Sequence, residues 1–236
     1  MEVQINSYTR TLQGNLIRPE KPNAGSAILL IHGWTSAQDR MRETAEMLSE
    51  KLGAICLTVD LSGHGKTGGD LNVFSRKDFL DDIKAAYDFL ISQEGVDPEK
   101  IGVVGSSFGS YLAALLTAHR RVSWVSLRAP ADYPDEGFTE PQMGQPKDMK
   151  WREAPKNHTE TAALRALNTF SGKVLIIESE FDELVPRQTL LNYKNAVSNP
   201  QNITYEIIKG ASHSVTRHPE LRKVLNDILF HWLKNF

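Results

Sequence analysis

Ser107, Asp182 and His213 follow one another along this 236-residue chain, and together they are the residue types that make a hydroxyl nucleophilic. Ser107 is the centre of Gly105-Ser106-Ser107-Phe108-Gly109. Gly-x-Ser-x-Gly is the spacing of a strand-to-helix turn so tight that the middle serine is pushed outward. Its glycines let the two backbones approach without a Cβ collision. Such a pattern of common residues arises by chance in roughly one chain of this size in ten, so its flanks carry the argument. The apolar run Ile101-Gly102-Val103-Val104 precedes it and a helix-like run from Tyr111 to Ala118 follows, as that turn requires.

A serine hydroxyl attacks only when a base takes its proton, and an acid must hold that base in the right tautomer. After the apolar run Val174–Ile177 four acids compete: Glu178, Glu180, Asp182 and Glu183. Asp182 falls in the loop beyond the strand, where its carboxylate can meet a histidine at the carboxyl edge of a sheet. Asp132, shortly after the run ending at Leu127, is the alternative acid. His213 occupies a loop of small residues, Gly210-Ala211-Ser212-His213-Ser214, between the apolar run Ile203–Ile208 and a closing helix. His158, His218 and His231 lack that position. Acyl transfer also needs two N–H donors for the oxyanion. Phe108, next after the nucleophile, supplies one, and Trp34 in Ile31-His32-Gly33-Trp34-Thr35 supplies the other.

The elements that position these residues alternate. Val3 to Ile17 reads as an antiparallel edge hairpin, Ala27–Ile31 as a strand buried on both faces, Met41–Leu52 as a helix and Ile55–Val59 as a strand. Ser75 is placed to cap a helix whose stripe is Phe79, Ile83, Ala86, Tyr87, Leu90 and Ile91, with Gly95 to end it. Strands are expected at 101–104, 122–127, 173–177 and 203–208, and helices near 189–197 and 219–233. Strand–helix alternation predicts an α/β protein with a mostly parallel central sheet and helices on both faces.

Residues 130–158 break the alternation. This stretch holds Pro130, Pro134, Pro141, Pro146 and Pro155, with Phe138, Met143, Met149 and Trp151. A long irregular segment inside a domain is usually functional. It reads as a small cap on a core made of 1–129 and 159–236, with Trp151 and Met143 as substrate contacts.

Composition narrows the function. Forty per cent hydrophobic and 24% charged residues are ordinary for a globular protein, and a net charge of −2 offers no field for nucleic acid and no polybasic membrane patch. The single cysteine, Cys56, excludes an internal disulfide and a thiolate metal cluster, and lies in an apolar run as a buried thiol would. Met1 to Asn6 is polar, with neither a signal peptide nor a membrane span behind it, so a cytoplasmic protein is expected. No cofactor or metal is called for, and a homodimer is left open.

Strand-His32-Gly33-Trp34, then Asp60-Leu61-Ser62-Gly63-His64-Gly65-Lys66-Thr67, the Ser107 motif, Asp182 and His213 stand in the order of the α/β-hydrolase fold family, which this chain resembles over essentially its whole length. It is similar to small serine carboxylesterases of the feruloyl-esterase and monoacylglycerol-lipase kind. Ser110 departs from the second glycine many of these carry after the turn. The resemblance implies that His32 and His64 shape loops beside the site and that the insertion forms a lid. It also implies cleavage of small-molecule esters of acyl or aromatic acids through an acyl-enzyme. Thioester or small-peptide amide cleavage is the alternative, and a non-catalytic ligand-binding protein is a third reading.

Overall fold

The computed structural model describes residues 1–8, 10–23, 25–143 and 149–235; Pro146 lies outside the described residues. The chain opens on β1 (Glu2–Ser7) and β2 (Arg10–Ile17), followed by β3 (Ala27–Ile31), α1 (Asp39–Leu52) and β4 (Ile55–Val59). Next come α2 (Arg76–Ile91), β5 (Ile101–Ser106), α3 (Phe108–Leu116) and β6 (Trp124–Arg128). The remainder is α4 (Met149–Glu153), α5 (Ala162–Thr169), β7 (Lys173–Ser179), α6 (Arg187–Ala196), β8 (Ile203–Ile208) and α7 (Pro219–Lys234).

The strands form one sheet in the order β1-β2-β4-β3-β5-β6-β7-β8. The β1–β2 and β2–β4 pairs are antiparallel and the rest parallel. Because side chains alternate across a strand, an all-apolar strand feeds two cores. In β3, Leu29 and Ile31 pack with Phe79 and Ile83 of α2 and Leu112 of α3, whereas Ile28 and Leu30 pack with Leu48 of α1 and Leu229 of α7. Burying each such side chain contributes roughly 1.5–3 kcal/mol. The helices therefore cover both faces, as the alternation predicts.

Local signals set most element ends. Ser75 caps α2 in a reciprocal pair: its Oγ accepts the Asp78 N–H at 3.2 Å, and Asp78 Oδ2 accepts the Ser75 N–H at 2.9 Å. The far end differs from expectation. α2 stops at Ile91 because Ser92 Oγ and Gln93 Nε2 both donate to the Phe89 carbonyl, at 2.8 and 3.0 Å, and Gly95 only turns the chain afterwards. β6 starts at Trp124 rather than 122, and its tryptophan lies over Gly102, where a Cβ would sit 1.9 Å from the indole. β5 and β7 each run two residues further than expected. α5, begun by Thr161 Oγ1 accepting the Leu164 N–H at 3.3 Å, is a helix the sequence reading did not contain. Its two turns are too short for a clear stripe, and tertiary burial of Ala163, Leu164 and Leu167 sustains it.

Parallel register brings the functional loops together. Ser106 of β5 aligns with Arg128 of β6, Arg128 with Ile177 of β7, and Ser179 with Ile208 of β8. The loops after β5, β6, β7 and β8 thus leave the same edge of the sheet.

Candidate active site

Ser107 joins β5 to α3 with φ 55° and ψ −113°, outside the range a side-chain-bearing residue prefers. Two close approaches force this corner. A Cβ on Gly105 would sit 2.5 Å from the Gly109 carbonyl, and one on Gly109 would sit 2.4 Å from the Ile31 carbonyl. The Ser107 N–H is pinned to the Arg128 carbonyl at 2.8 Å, which also accepts from Ser110 Oγ at 3.0 Å. Thr35 and Ala129 also have positive φ, so three of the four non-glycine residues of this kind among the described residues crowd one edge. Each costs on the order of 1–3 kcal/mol and persists where the surroundings over-determine it.

His213 Nε2 lies 3.0 Å from Ser107 Oγ. Its Nδ1 faces Asp182, at 2.7 Å from Oδ2 and 2.9 Å from Oδ1. Asp182 Oδ1 also accepts the N–H groups of Leu184 at 2.9 Å and Val185 at 2.8 Å. Burial pushes the Asp182 carboxyl upward, but the His213 bond and charge, with those two N–H donors, outweigh it and hold the group below its ordinary value. The carboxylate is ionised at neutral pH, and a proton on His213 Nδ1 leaves Nε2 free to accept from Ser107.

The competing acids go elsewhere. Glu178 accepts from Tyr205 Oη at 2.5 Å, Glu180 pairs with Lys209 at 2.9 Å, and Glu183 accepts the His213 N–H at 3.1 Å. Asp132 is 1% exposed, bonded to the Tyr133 N–H at 2.9 Å and Thr161 Oγ1 at 3.1 Å, and burial raises it to about 7.

The loop carrying Trp34 runs beside the turn: a Cβ on Gly33 would lie 3.4 Å from Ser107 Cβ. The Phe108 N–H heads α3 and has no intrahelical acceptor. Neither it nor the Trp34 N–H donates to an acceptor among the described residues. Two histidines hold this loop in place. His64 Nε2 accepts the Thr35 N–H at 3.2 Å and Nδ1 donates to the Ser62 carbonyl at 2.9 Å. His32 accepts the Leu61 N–H at 3.2 Å and donates to the Gly33 carbonyl at 2.7 Å. Burial lowers both, His32 to about 4, so each stays neutral with one donor and one acceptor nitrogen.

Sequence reasoning missed Arg128. Its guanidinium, 6% exposed, donates from Nε (3.2 Å) and Nη2 (2.6 Å) to Ser106 Oγ and from Nη1 (2.6 Å) to the His213 carbonyl. It ties the serine turn to the histidine loop. Burial lowers its pKa to about 10, against the pull of Asp182 and Glu183, so it remains charged at neutral pH. The one available signal was a charge closing the apolar run Val125-Ser126-Leu127.

A cavity of about 900 Å³ opens over Ser107 and His213, walled by Trp34, Tyr133, Met143, Met149 and Val185. Met143 is part of that wall. Trp151 does not line this cavity: its ring packs under Lys156 Nζ at 3.9 Å. Phe138 lies beneath Arg76. Among the described residues no group of three or more His, Cys, Asp or Glu could hold a metal, and no helix is long and apolar enough to cross a membrane.

Residues 40–236 match the prolyl oligopeptidase family. The multifunctional-autoprocessing repeats-in-toxin protein of Vibrio vulnificus is 27% identical over 128 residues, which are 52% of this chain, and the chain spans 2% of that protein's length. Est1E from Butyrivibrio proteoclasticus, solved with ferulic acid bound, superposes with a TM-score of 0.76 at 17% identity, covering 99% of this chain and 98% of its own. An alpha-beta serine hydrolase homologue from Coxiella burnetii gives 0.73 at 21% identity, covering 99% and 97%. At such identities the structural similarity shows the α/β-hydrolase fold.

Proposed function

We propose, from the premise that this chain belongs to the prolyl oligopeptidase family and folds as an α/β hydrolase, that it is a serine carboxylesterase acting through an acyl-enzyme. The observation that carries the reading is the run of contacts from Ser107 Oγ through His213 to Asp182, at 3.0 and 2.7 Å. In this reading His213 Nε2 takes the Ser107 proton as Oγ adds to the ester carbonyl. Asp182 steadies the imidazolium, and the N–H groups of Trp34 and Phe108 hold the oxyanion. His213 then returns the proton to the departing alcohol. A water, deprotonated by the same nitrogen, cleaves the acyl-Ser107 ester to release the acid.

The described part of residues 130–158 is the cap of this reading, supported by Tyr133, Met143 and Met149 on the cavity wall. Among them the two methionines, rather than Trp151, are the apolar contacts proposed for the substrate. Small acyl or aromatic esters suit an open cavity of this size, and ferulic acid is the ligand of the similar Est1E structure. The family description favours one second reading, cleavage of a small peptide amide, which uses the same groups but obliges His213 to protonate a poorer leaving group.

The test is labelling by a fluorophosphonate probe, followed by rates on p-nitrophenyl acetate and butyrate, acyl-CoA and aminoacyl anilides. Labelling of the protein but not of Ser107→Ala, with ester turnover fastest, is expected. Equal labelling of Ser107→Ala refutes the nucleophile, and faster anilide turnover moves the reading to the amidase.

A further inference from the structure

Most arginines away from the cavity pair with carboxylates; Arg18 and Arg76 instead donate to neutral oxygens, Arg18 to the Glu94 carbonyl and Gln93 Oε1 and the buried Arg76 to the Pro134 and Glu136 carbonyls. Arg10, Arg42, Arg120, Arg121, Arg165, Arg187 and Arg222 are each ion-paired. Arg40, Arg128, Arg152 and Arg217 all line the cavity over Ser107, and among the described residues none of the four has an ion-pair partner. Two acids share that lining, Asp39 and Glu183, and Glu183 Oε2 already accepts the His213 N–H at 3.1 Å.

An arginine in open water needs no partner, so Arg40 and Arg217, both exposed, carry little weight alone. Arg128 and Arg152 differ. Arg128 is buried, and its three hydrogen bonds to Ser106 and His213 leave two N–H groups unused; no carboxylate is within ion-pair distance, and Asp182 and Glu183 act on its charge only from further off. Arg152 is half-buried, held with its guanidinium 5.3 Å over the Tyr133 ring and one N–H 3.4 Å from the Leu184 carbonyl. A guanidinium at a cavity wall with donors to spare can offer them as a fork that matches a carboxylate. The four guanidiniums outnumber Asp39 and Glu183 in the lining, and the positive excess, reduced by the ionised Asp182 behind His213, is focused into the cleft, where low-dielectric walls weaken screening.

Resting on the esterase reading, we propose that this site selects esters bearing a carboxylate, which Arg152 binds and the field of Arg40, Arg128 and Arg217 draws in. The same field disfavours a free α-amino group, and so opposes recognition of a peptide N-terminus.

The experiment compares kcat/KM for matched pairs. Mono-4-nitrophenyl glutarate against 4-nitrophenyl valerate places the anion on the acyl side, and 4-acetoxybenzoate against 4-acetoxybenzamide places it on the alcohol side. One anionic ester is expected to exceed its neutral partner by about ten- to a hundredfold at low salt, the range of a charge-assisted hydrogen bond. The preference shrinks several-fold in about 0.5 M NaCl. Arg152→Met lowers the anionic-to-neutral ratio about tenfold, and Arg152→Lys retains part of it. A ratio of one or less for both pairs, or a ratio unmoved by Arg152→Met, overturns the proposal. Calorimetric titration of Ser107→Ala with glutarate and with valerate separates this from the esterase reading. Arg152-dependent glutarate binding in a protein that cleaves no ester upholds the anion site and sinks the esterase. Ester cleavage without anion preference does the reverse.

Discussion

Replacing Asp182 by asparagine changes the tautomer of His213 while leaving the loop its hydrogen bonds. Asp182 Oδ1 sits under two backbone donors, Leu184 N–H at 2.9 Å and Val185 N–H at 2.8 Å, while Oδ2 faces His213 Nδ1 at 2.7 Å. An asparagine must keep its carbonyl oxygen under those two N–H groups, because its NH₂ has no lone pair to offer them. The NH₂ therefore takes the place of Oδ2 and aims a proton at Nδ1. Two donors cannot face each other, so His213 presents a lone pair at Nδ1 and carries its proton on Nε2, 3.0 Å from Ser107 Oγ. A protonated Nε2 cannot accept the serine proton. The matching substitution in a serine protease costs about 10⁴ in kcat, or roughly 5.5 kcal/mol of transition-state stabilisation. Stability should fall by only about 1 kcal/mol, since both backbone donors stay satisfied. The assay is kcat on p-nitrophenyl butyrate at saturating substrate and pH 7.5, with urea unfolding alongside. The imidazole N–H resonance, moved from Nδ1 to Nε2, reports the tautomer. A folded Asp182→Asn protein that keeps more than a tenth of wild-type kcat refutes the reasoning.

Two further perturbations follow from buried charges. Arg128→Met removes the bonds tying Ser106 to the His213 carbonyl. On a neutral ester kcat should fall about 10- to 100-fold with a much smaller change in KM, and stability by about 2–4 kcal/mol; Arg128→Lys should rescue part of both, and unchanged kcat in a destabilised protein would make Arg128 only scaffolding. Asp132 binds its proton more tightly folded, with a pKa of about 7, than unfolded, where the ordinary value is 3.8. Between those values the native state holds more protons than the unfolded one, so this group's contribution makes stability fall as pH rises through the window, by up to roughly 4 kcal/mol. Asp132→Asn should flatten that part of a melting-temperature profile, and an unchanged slope counts against a buried, protonated Asp132.

Much of the fold was legible because its causes are local. The period-2 and period-3.6 apolar runs mark strands and helices, and Ser75 with Asp78 marks where α2 begins. The end of α2 and the whole of α5 were not legible, since one depends on side chains satisfying the Phe89 carbonyl and the other on burial against neighbours. At the site, the residue types around Ser107 stood out through their order and their places after apolar runs. Trp151 shows the limit of reading from type: a large apolar residue in the insertion suggested a wall contact, and its ring packs with Lys156 instead.

By itself the sequence determined the elements, the tight turn at Ser107 and the set of acids and histidines from which an acyl-transfer site could be drawn, because each follows from neighbours a few positions apart. Only the tertiary structure decided which acid meets His213 across 31 residues, that Nε2 reaches Ser107 across 106, and that Arg128 spans 85 to the same loop. It also decided that four arginines without carboxylates face one cavity. Those contacts depend on strand order and parallel register, which place distant loops at one sheet edge, and no periodicity within the chain encodes that order.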